Sequence, residues 1–393
     1  MRIVLATDLY APSVGGIERH VESLSERLLA DGHEVVVATS TRADGDDPPH
    51  VHRLPSWSQV LIRRRARPEQ SFHPPLADPG LVHEIVALCR QVGAQLIHAH
   101  GWMAHSAVVA AKRARIPVIV GLHDYGLDCA RRSRLLPGGT ACEGPEPSRC
   151  GPCASATYGP IRGPLVYRGL RRSQRWWADV DAFVANSDAV ARAANAAGVA
   201  CTVASPWICP PHDRPPEGSG VFGLPDDPFV LYVGAQARHK GVDTLTAAWR
   251  NDPPAPLVAL VSRPEIDAPG LPVGAVVHHH ATHDDVLATM SRAAITVVPS
   301  IFAEPFGLVA AEAMWAGSPV VVSSVGALPD VVDHGRAGVL VDPGDPSALR
   351  HAIIDLLGDP ARRAGLTTSG RARARALDGT DAIVAVYERV LGT

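Results

Sequence analysis

Short apolar runs alternate along this chain with longer segments whose apolar positions recur every three to four residues. Arg2 to Thr7 reads RIVLAT, a short strand rich in aliphatic residues. After the turn Ala11-Pro12-Ser13-Val14-Gly15-Gly16, residues Ile17, Val21, Leu24, Leu28 and Leu29 share one helical face, and Gly32 stands where a helix stops. Glu34 to Thr39, EVVVAT, is the next strand. Leu96 to His100, a helix over Ala104 to Ala114, Pro117 to Leu122 ending at His123, and Asp181 to Asn186 with Ser187 as a helix N-cap continue the same grammar. It resumes with strands at Phe229 to Val233, Leu257 to Ser262, Thr296 to Pro299 and Val320 to Ser323, and with helices at Val242 to Trp249 and after Phe306.

Alternating strands and helices predict an α/β fold with parallel sheets. The Pro/Gly-rich stretch 205–228 breaks the pattern and predicts a linker. The expected division is a first domain over 1–207 and a second over 208–375, with a last helix from about 376–393 packing back on the first. Ligands of such sheets bind beyond the carboxyl ends of the strands, so candidate chemistry is sought in the loops there.

The 37 basic and 40 acidic residues give a net charge of −3, which speaks against a nucleic-acid binder. No run approaches the length of a membrane span and the N-terminus lacks a signal-peptide core, so a cytoplasmic protein is expected. Residues 50–180 carry 18 basic against 8 acidic side chains, including Arg63, Arg64, Arg65, Arg67, Arg131, Arg132 and Arg134. That excess suits either a solvated Arg-rich face or an anionic acceptor, the second extending to a lipid-linked acceptor met peripherally at the inner face of a membrane. Only two lysines occur, Lys112 and Lys240, against 35 arginines, which makes each lysine worth a question.

Three constellations follow strands. Gly15-Gly16 opens a helix and lets an anion approach the backbone closely. Arg238-His239-Lys240-Gly241 sets cations in a loop, as a diphosphate requires. Glu304-Pro305-Phe306-Gly307-Leu308 precedes Glu312, so that two carboxylates flank a helix start whose N–H groups can hold phosphate oxygens.

In this order the three resemble glycosyltransferase family 4, and the resemblance runs nearly end to end. It includes PSVGGIERHVESLSERLLADGHEVVVAT and PSIFAEPFGLVAAEAMWAGSPVVVSSVGALPDVVDHGRAGVLVDPGD, the latter carrying an E-x7-E motif. The resemblance implies a GT-B fold of two Rossmann-like domains facing a cleft. It also implies a retaining enzyme that moves a hexosyl unit from a nucleotide-sugar donor to an acceptor hydroxyl. Glu304 would then contact the donor sugar and Glu312 the nucleotide ribose, with Gly16 and the backbone of Phe306, Gly307 and Leu308 touching the diphosphate. Lys240 and Arg238 would stabilise the leaving group, and His123 matches the family's active-site histidine. Ala235 stands where the family has Arg, Ser262-Arg263-Pro264 replaces a Gly-rich turn, Gly326-Ala327 replaces Gly-Gly, and Asp330 replaces Glu. The rival readings are a GT-B epimerase or phosphorylase, or a non-catalytic partner subunit. The resemblance implies no catalytic metal. The acceptor is expected to be anionic, lipid-linked or a natural-product intermediate.

Two clusters remain. His278, His279, His280 and His283 are read as a nucleotide-side loop rather than a metal site, with Thr282 and Asp285 as a capping box, and Asp179-Val180-Asp181 as structural. Cys129, Cys142, Cys150 and Cys153 are spaced C-x12-C-x7-C-x2-C in an insert with few apolar residues. The spacing fits a structural zinc site; disulfides, free thiols and an iron–sulfur cluster are the rivals.

Overall fold

The computed structural model describes residues 1–13, 15–42, 47–58, 73–207, 221, 223–250, 252–262 and 269–393. The chain divides into two units, one comprising 1–138, 142–207 and 379–393, the other 208–378 with the segment 139–141.

The first unit is built on strands β1 (Arg2–Thr7), β2 (Glu34–Thr39), β3 (Val51–Arg53), β4 (Leu96–His100), β5 (Val118–Leu122), β6 (Ala182–Ala185) and β7 (Thr202–Val203). They form a seven-stranded parallel sheet in the order β3-β2-β1-β4-β5-β6-β7. The strand order reverses between β1 and β4, where Thr7 pairs with His100. Helix α1 (Gly16–Ala30) buries Ile17, Val21, Leu24 and Leu28, and Gly32 at φ 83° turns the chain into β2. Helix α2 (Pro79–Val92) is N-capped by Asp78, whose side chain accepts from the N–H groups of Gly80 and Leu81. Helix α3 (Ala104–Ala114) follows β4.

Helix α4 (Pro147–Ser173) is the largest departure from the sequence expectation. It carries Pro152, Pro160 and Pro164 and is interrupted at Gly159, φ 84°, so no continuous helical period marks it. Its Ala154, Val166 and Leu170 pack with Trp102 and Ala130, so the insert, expected to lack apolar material, has a small core. Helix α5 (Asp188–Ala196) starts at Ser187, whose hydroxyl accepts from the Val190 N–H at 3.1 Å.

The second unit contains β8 (Val230–Gly234), β9 (Leu257–Val261), β10 (Val276–His279), β11 (Ile295–Val298), β12 (Val320–Ser323) and β13 (Val339–Val341). Their order, β10-β9-β8-β11-β12-β13, is again all parallel, and it reverses between β8 and β11. Alternate residues serve opposite faces: Val230 and Tyr232 pack with Leu349 and Ile353, and Leu231 packs with Met314 and Leu328. The helices are α6 (Val242–Ala248), α7 (His283–Arg292), α8 (Leu308–Ala316), α9 (Leu328–Val331), α10 (Pro346–Gly358) and α11 (Pro360–Ala376). The last helix, α12 (Thr380–Leu391), belongs to the first unit, where Ile383, Val386 and Tyr387 are buried with Ile3 and Leu5. No helix among the described residues is long and apolar enough to cross a membrane.

Candidate active site

In the second unit the reversal of strand order sets the loops after β8 and β11 side by side. The loop after β8 makes a single 3-10 turn, Arg238–Lys240, closed by Gly241. Lys240 Nζ lies 2.7 Å from Glu304 Oε1, and the Ser300 hydroxyl donates to the same oxygen at 2.6 Å. The ammonium also stands 4.8 Å from the centre of the Phe302 ring. The two loops are tied by the Ile301 N–H donating to the His239 carbonyl at 3.0 Å. Glu304 is only 6% exposed, so its charge is met by protein groups more than by water.

Gly307, at φ 102°, caps α8 without a side-chain hydrogen bond, and its conformation is one that other residues rarely adopt. The Phe306 side chain is packed in the core, which leaves the backbone of Phe306 to Leu308 to meet a ligand. Glu312 lies inside α8, 9% exposed, with His283 Nε2 at 3.8 Å from its Oε1. Behind Glu304, the Ala327 N–H donates to its carbonyl at 2.9 Å, and Gly326, at φ 63°, lies against its backbone. Arg238 does not join this group: its exposed guanidinium pairs with Asp243 at 3.1 Å.

In the first unit His123 follows β5. Its Nε2 is 2.7 Å from Nδ1 of His100, at the end of β4, and its carbonyl accepts from the Asn186 amide at 3.1 Å. His20 lies against His123, with ring centres 4.6 Å apart, and His98 against His100 at 4.2 Å. A Cβ on Gly121 would stand 2.7 Å from His100 Nδ1 and 2.9 Å from His123 Nε2, so the glycine makes room for the pair. Burial, then His98 and Arg132, pushes the His123 imidazole down to about 3; it is neutral at physiological pH. Among the described residues, His20, His100 and His123 are the one group of ligating side chains whose donor atoms all lie within 4.8 Å of one another. Two of these rings already share the His100–His123 hydrogen bond.

An open cavity of about 600 Å³ adjoins His123, lined by Trp102, His105, Asp124, Arg132 and Trp176 among others. Arg132 reaches Asp124 at 2.8 Å and stands 5.4 Å from the Trp102 ring. Burial works against the Arg132 guanidinium, but Asp124 and Asp8 outweigh it and hold its charge. Asp8, after β1, is pushed up by burial, as is Glu18. Gly15 and Gly16 open α1 here; a Cβ on Gly15 would meet the Glu18 carboxylate at 2.6 Å. Asp8, Glu18, His20, His98 and His100 were not singled out in the sequence. The available signal was Asp8 and His100 at the ends of strands that the topology makes neighbours.

Of the remaining expectations, Arg63 to Arg67 and the turn 263–268 lie outside the described residues. His278 and His279 are a correction: they belong to the edge strand β10 rather than a loop, because Val276-Val277 and the pairing with β9 extend the sheet through them. Thr282 and Asp285 form the capping box of α7. Asp179 pairs with Lys112 at 2.9 Å, and Asp181 accepts from the Val118 N–H, both structural roles. Arg131 donates to Thr157 and Arg134 pairs with Asp128, so neither is a free surface cation. The four insert cysteines line one cavity of their own.

This chain is 28% identical over 404 residues to a glycogen synthase of Mycobacterium tuberculosis, covering 92% of this chain and 87% of the relative. It is 27% identical over 430 residues to D-inositol 3-phosphate glycosyltransferase 1 of Catenulispora acidiphila, covering 99% and 94%. In fold it is similar to sucrose-phosphate synthase from Thermosynechococcus elongatus, with a TM-score of 0.70, 23% identity and full coverage of both chains. That likeness supports the GT-B fold. The model for glycosyl transferases group 1 matches residues 220–373. The model for Glycosyltransferase Family 4 matches residues 14–210, half of the chain, and with these matches the protein belongs to glycosyltransferase family 4.

Proposed function

We propose that this glycosyltransferase moves a hexosyl unit from a nucleoside-diphosphate sugar to an acceptor hydroxyl with retention at the anomeric carbon. The observation that carries the reading is the Lys240–Glu304 pair beside the uncapped start of α8, with Glu312 on the same helix. The bond between the anomeric carbon and the diphosphate breaks as the acceptor hydroxyl attacks the same face and passes its proton to the departing phosphate oxygen. Charge gathers on the departing diphosphate, where Lys240 and the N–H groups of α8 stabilise it. Glu304 holds the donor sugar and Glu312 the ribose hydroxyls. Arg238 would exchange Asp243 for a phosphate oxygen. No protein nucleophile and no catalytic metal is required. His123 and the aromatic cavity beside it receive the acceptor; the tryptophans suit the apolar face of a sugar or polyol ring.

A screen of UDP-, GDP-, ADP- and dTDP-sugars by thermal shift and donor hydrolysis tests this reading. A matching nucleotide at a hundredfold its Kd should stabilise the protein by about 2.7 kcal/mol. No shift with any nucleotide would overturn it in favour of a scaffold, and conversion of a nucleotide-sugar to its epimer without release of the nucleoside diphosphate would overturn it in favour of an epimerase. Activity lost to brief EDTA and restored by Mg²⁺ would overturn the metal-free chemistry.

A second reading concerns the compartment. Helix α4 exposes Ile161 (79%) and Leu165 (56%) next to exposed Arg162, Arg168 and Arg172. This basic and apolar stripe suits peripheral docking on an anionic cytoplasmic leaflet that carries a lipid-linked acceptor. Flotation with anionic but not neutral vesicles is expected; equal recovery from both excludes it.

A further inference from the structure

We propose that Cys129, Cys142, Cys150 and Cys153 hold one structural zinc ion as four thiolates, pinning the loop after His123 to the start of α4. The four come from three separate stretches of chain. Cys129 lies in the loop after β5, Cys142 in the following turn, and Cys150 and Cys153 sit one helical turn apart near the start of α4. The fold nevertheless brings all four to the wall of a single cavity of about 380 Å³. All four are half-buried and none is in a disulfide. They are not yet at ligating separation: the donor atoms within 4.8 Å of one another are those of the histidine group, so zinc would draw the sulfurs inward. Each cysteine has a single heavy-atom torsion with which to do so.

The surroundings select a negatively charged centre. Arg131, Arg134 and Arg149 line the same cavity. Arg131 donates to Thr157, Arg134 pairs with Asp128, and Arg149 donates to the Gly144 carbonyl and pairs with Glu146 at 3.5 Å. The Nε of each is buried and makes no hydrogen bond. Three buried N–H groups without acceptors are costly beside neutral thiols, but they match a tetrathiolate zinc centre, whose net charge is −2. One backbone donor is already directed at sulfur: the Glu146 N–H donates to Cys150 Sγ at 3.2 Å. The Cys142 thiol donates to the Gly144 carbonyl at 3.3 Å, a bond it gives up as a thiolate. Four thiolates in one cavity repel one another unless a cation lies among them, and four sulfurs close the tetrahedron of a structural zinc.

The site shares its loop with the acceptor-side cavity. The Arg132 N–H donates to the Cys129 carbonyl at 3.0 Å, the Tyr125 N–H donates to the Arg132 carbonyl at 3.2 Å, and the Arg132 side chain reaches Asp124 beside His123. Anchoring Cys129 therefore fixes the backbone that presents Arg132 and Asp124. The small core of Trp102, Ala130, Ala154, Val166 and Leu170 means that the insert does not depend on metal alone.

Metal analysis of the wild-type chain, purified in reducing buffer without chelator, tests the site with no appeal to activity. About one zinc per chain is expected. Mercurial titration should release it in step with four thiols, and the Cys142→Ser/Cys153→Ser variant should lose it. Limited proteolysis within 129–153 should accelerate on metal release while cleavage elsewhere does not. Three results would each overturn the site: wild-type protein with well under a tenth of a zinc per chain and four freely reacting thiols; iron with a visible chromophore; or disulfides among these cysteines by mass spectrometry.

Discussion

Lys240 and Glu304, 64 residues apart in the chain, meet at 2.7 Å because β8 and β11 are neighbours in the second sheet. The pair sets a charge of each sign at the point where the strand order reverses, with Ser300 holding the carboxylate from the other side. Lys240→Met and Glu304→Gln should each reduce donor kcat/KM by roughly 10- to 150-fold, the worth of a charge-assisted hydrogen bond. Lys240→Met should also lower stability, since Glu304 remains buried without its cation. The double variant should recover stability and not activity. Steady-state kinetics with thermal melts separates the two effects, and wild-type kcat/KM in either single variant rules out the assigned roles.

Gly326 supports the same carboxylate from behind. It adopts φ 63°, and a Cβ there would run into the Glu304 backbone. Gly326→Ala should therefore cost about 1–3 kcal/mol of stability and displace Glu304 as well. Gly307→Ala meets Leu328 Cδ2 at 2.5 Å and should tilt the start of α8. Nucleotide titration calorimetry should show weakened binding in both variants, whereas Gly358→Ala, with open space around it, should bind as the wild type does.

The central strands were legible because they are short aliphatic runs buried on both faces. RIVLAT, EVVVAT and VVVS match β1, β2 and β12 residue for residue. Helix α4 was illegible because three prolines and Gly159 erase its period, and β10 because His278 and His279 read as polar loop. At the site, Glu304 and Glu312 lie on one contiguous motif and Lys240 stands out by its rarity. The partners of His123 could not be read the same way. His20, His98 and His100 lie far upstream of it, and only the pairing of β1, β4 and β5 assembles them. Local pattern reports strands and caps; it does not report which strand ends become neighbours.

Tyr387 ties α12 to that assembly, with its hydroxyl 2.7 Å from His98 Nδ1 and its ring fully buried. His98 Nε2 has no hydrogen-bond partner, so Tyr387→Phe leaves both ring nitrogens unsatisfied. A loss of about 1–3 kcal/mol is expected, seen as a Tm lower by several degrees. Tyr387→Ala should cost more, since it removes a buried ring as well. Chemical denaturation is the check, and a Tyr387→Phe midpoint equal to wild type would contradict the bond.

The histidine cluster fixes the direction of the acid response. Burial, then His20, pushes His98 down to about 3, and burial, then His98 and Arg132, does the same to His123. His20 and His100 are lowered well below 6.5, again chiefly by burial. In the unfolded chain these imidazoles take a proton near their ordinary value of about 6.5. In the folded protein they stay neutral until the pH is far lower. Between the two values the unfolded state binds more protons, so stability is fully present above about pH 6.5 and is lost as the pH falls toward 3. Each neutral imidazole sets a limiting slope of about 1.4 kcal/mol per pH unit. Asp8 and Glu18, raised by burial, act in the opposite sense, since the folded state holds their protons more tightly. Two carboxyls, titrating from a lower starting value, do not offset four imidazoles between pH 6.5 and 5. The Tm should therefore be flat from pH 8 to 7 and fall steeply from pH 6 to 5. His20→Phe, which removes one imidazole that makes no hydrogen bond through Nδ1, should flatten the fall without abolishing it. Melts across that range decide the point: a Tm unchanged between pH 7 and 5 would mean that the cluster accepts protons in the folded state.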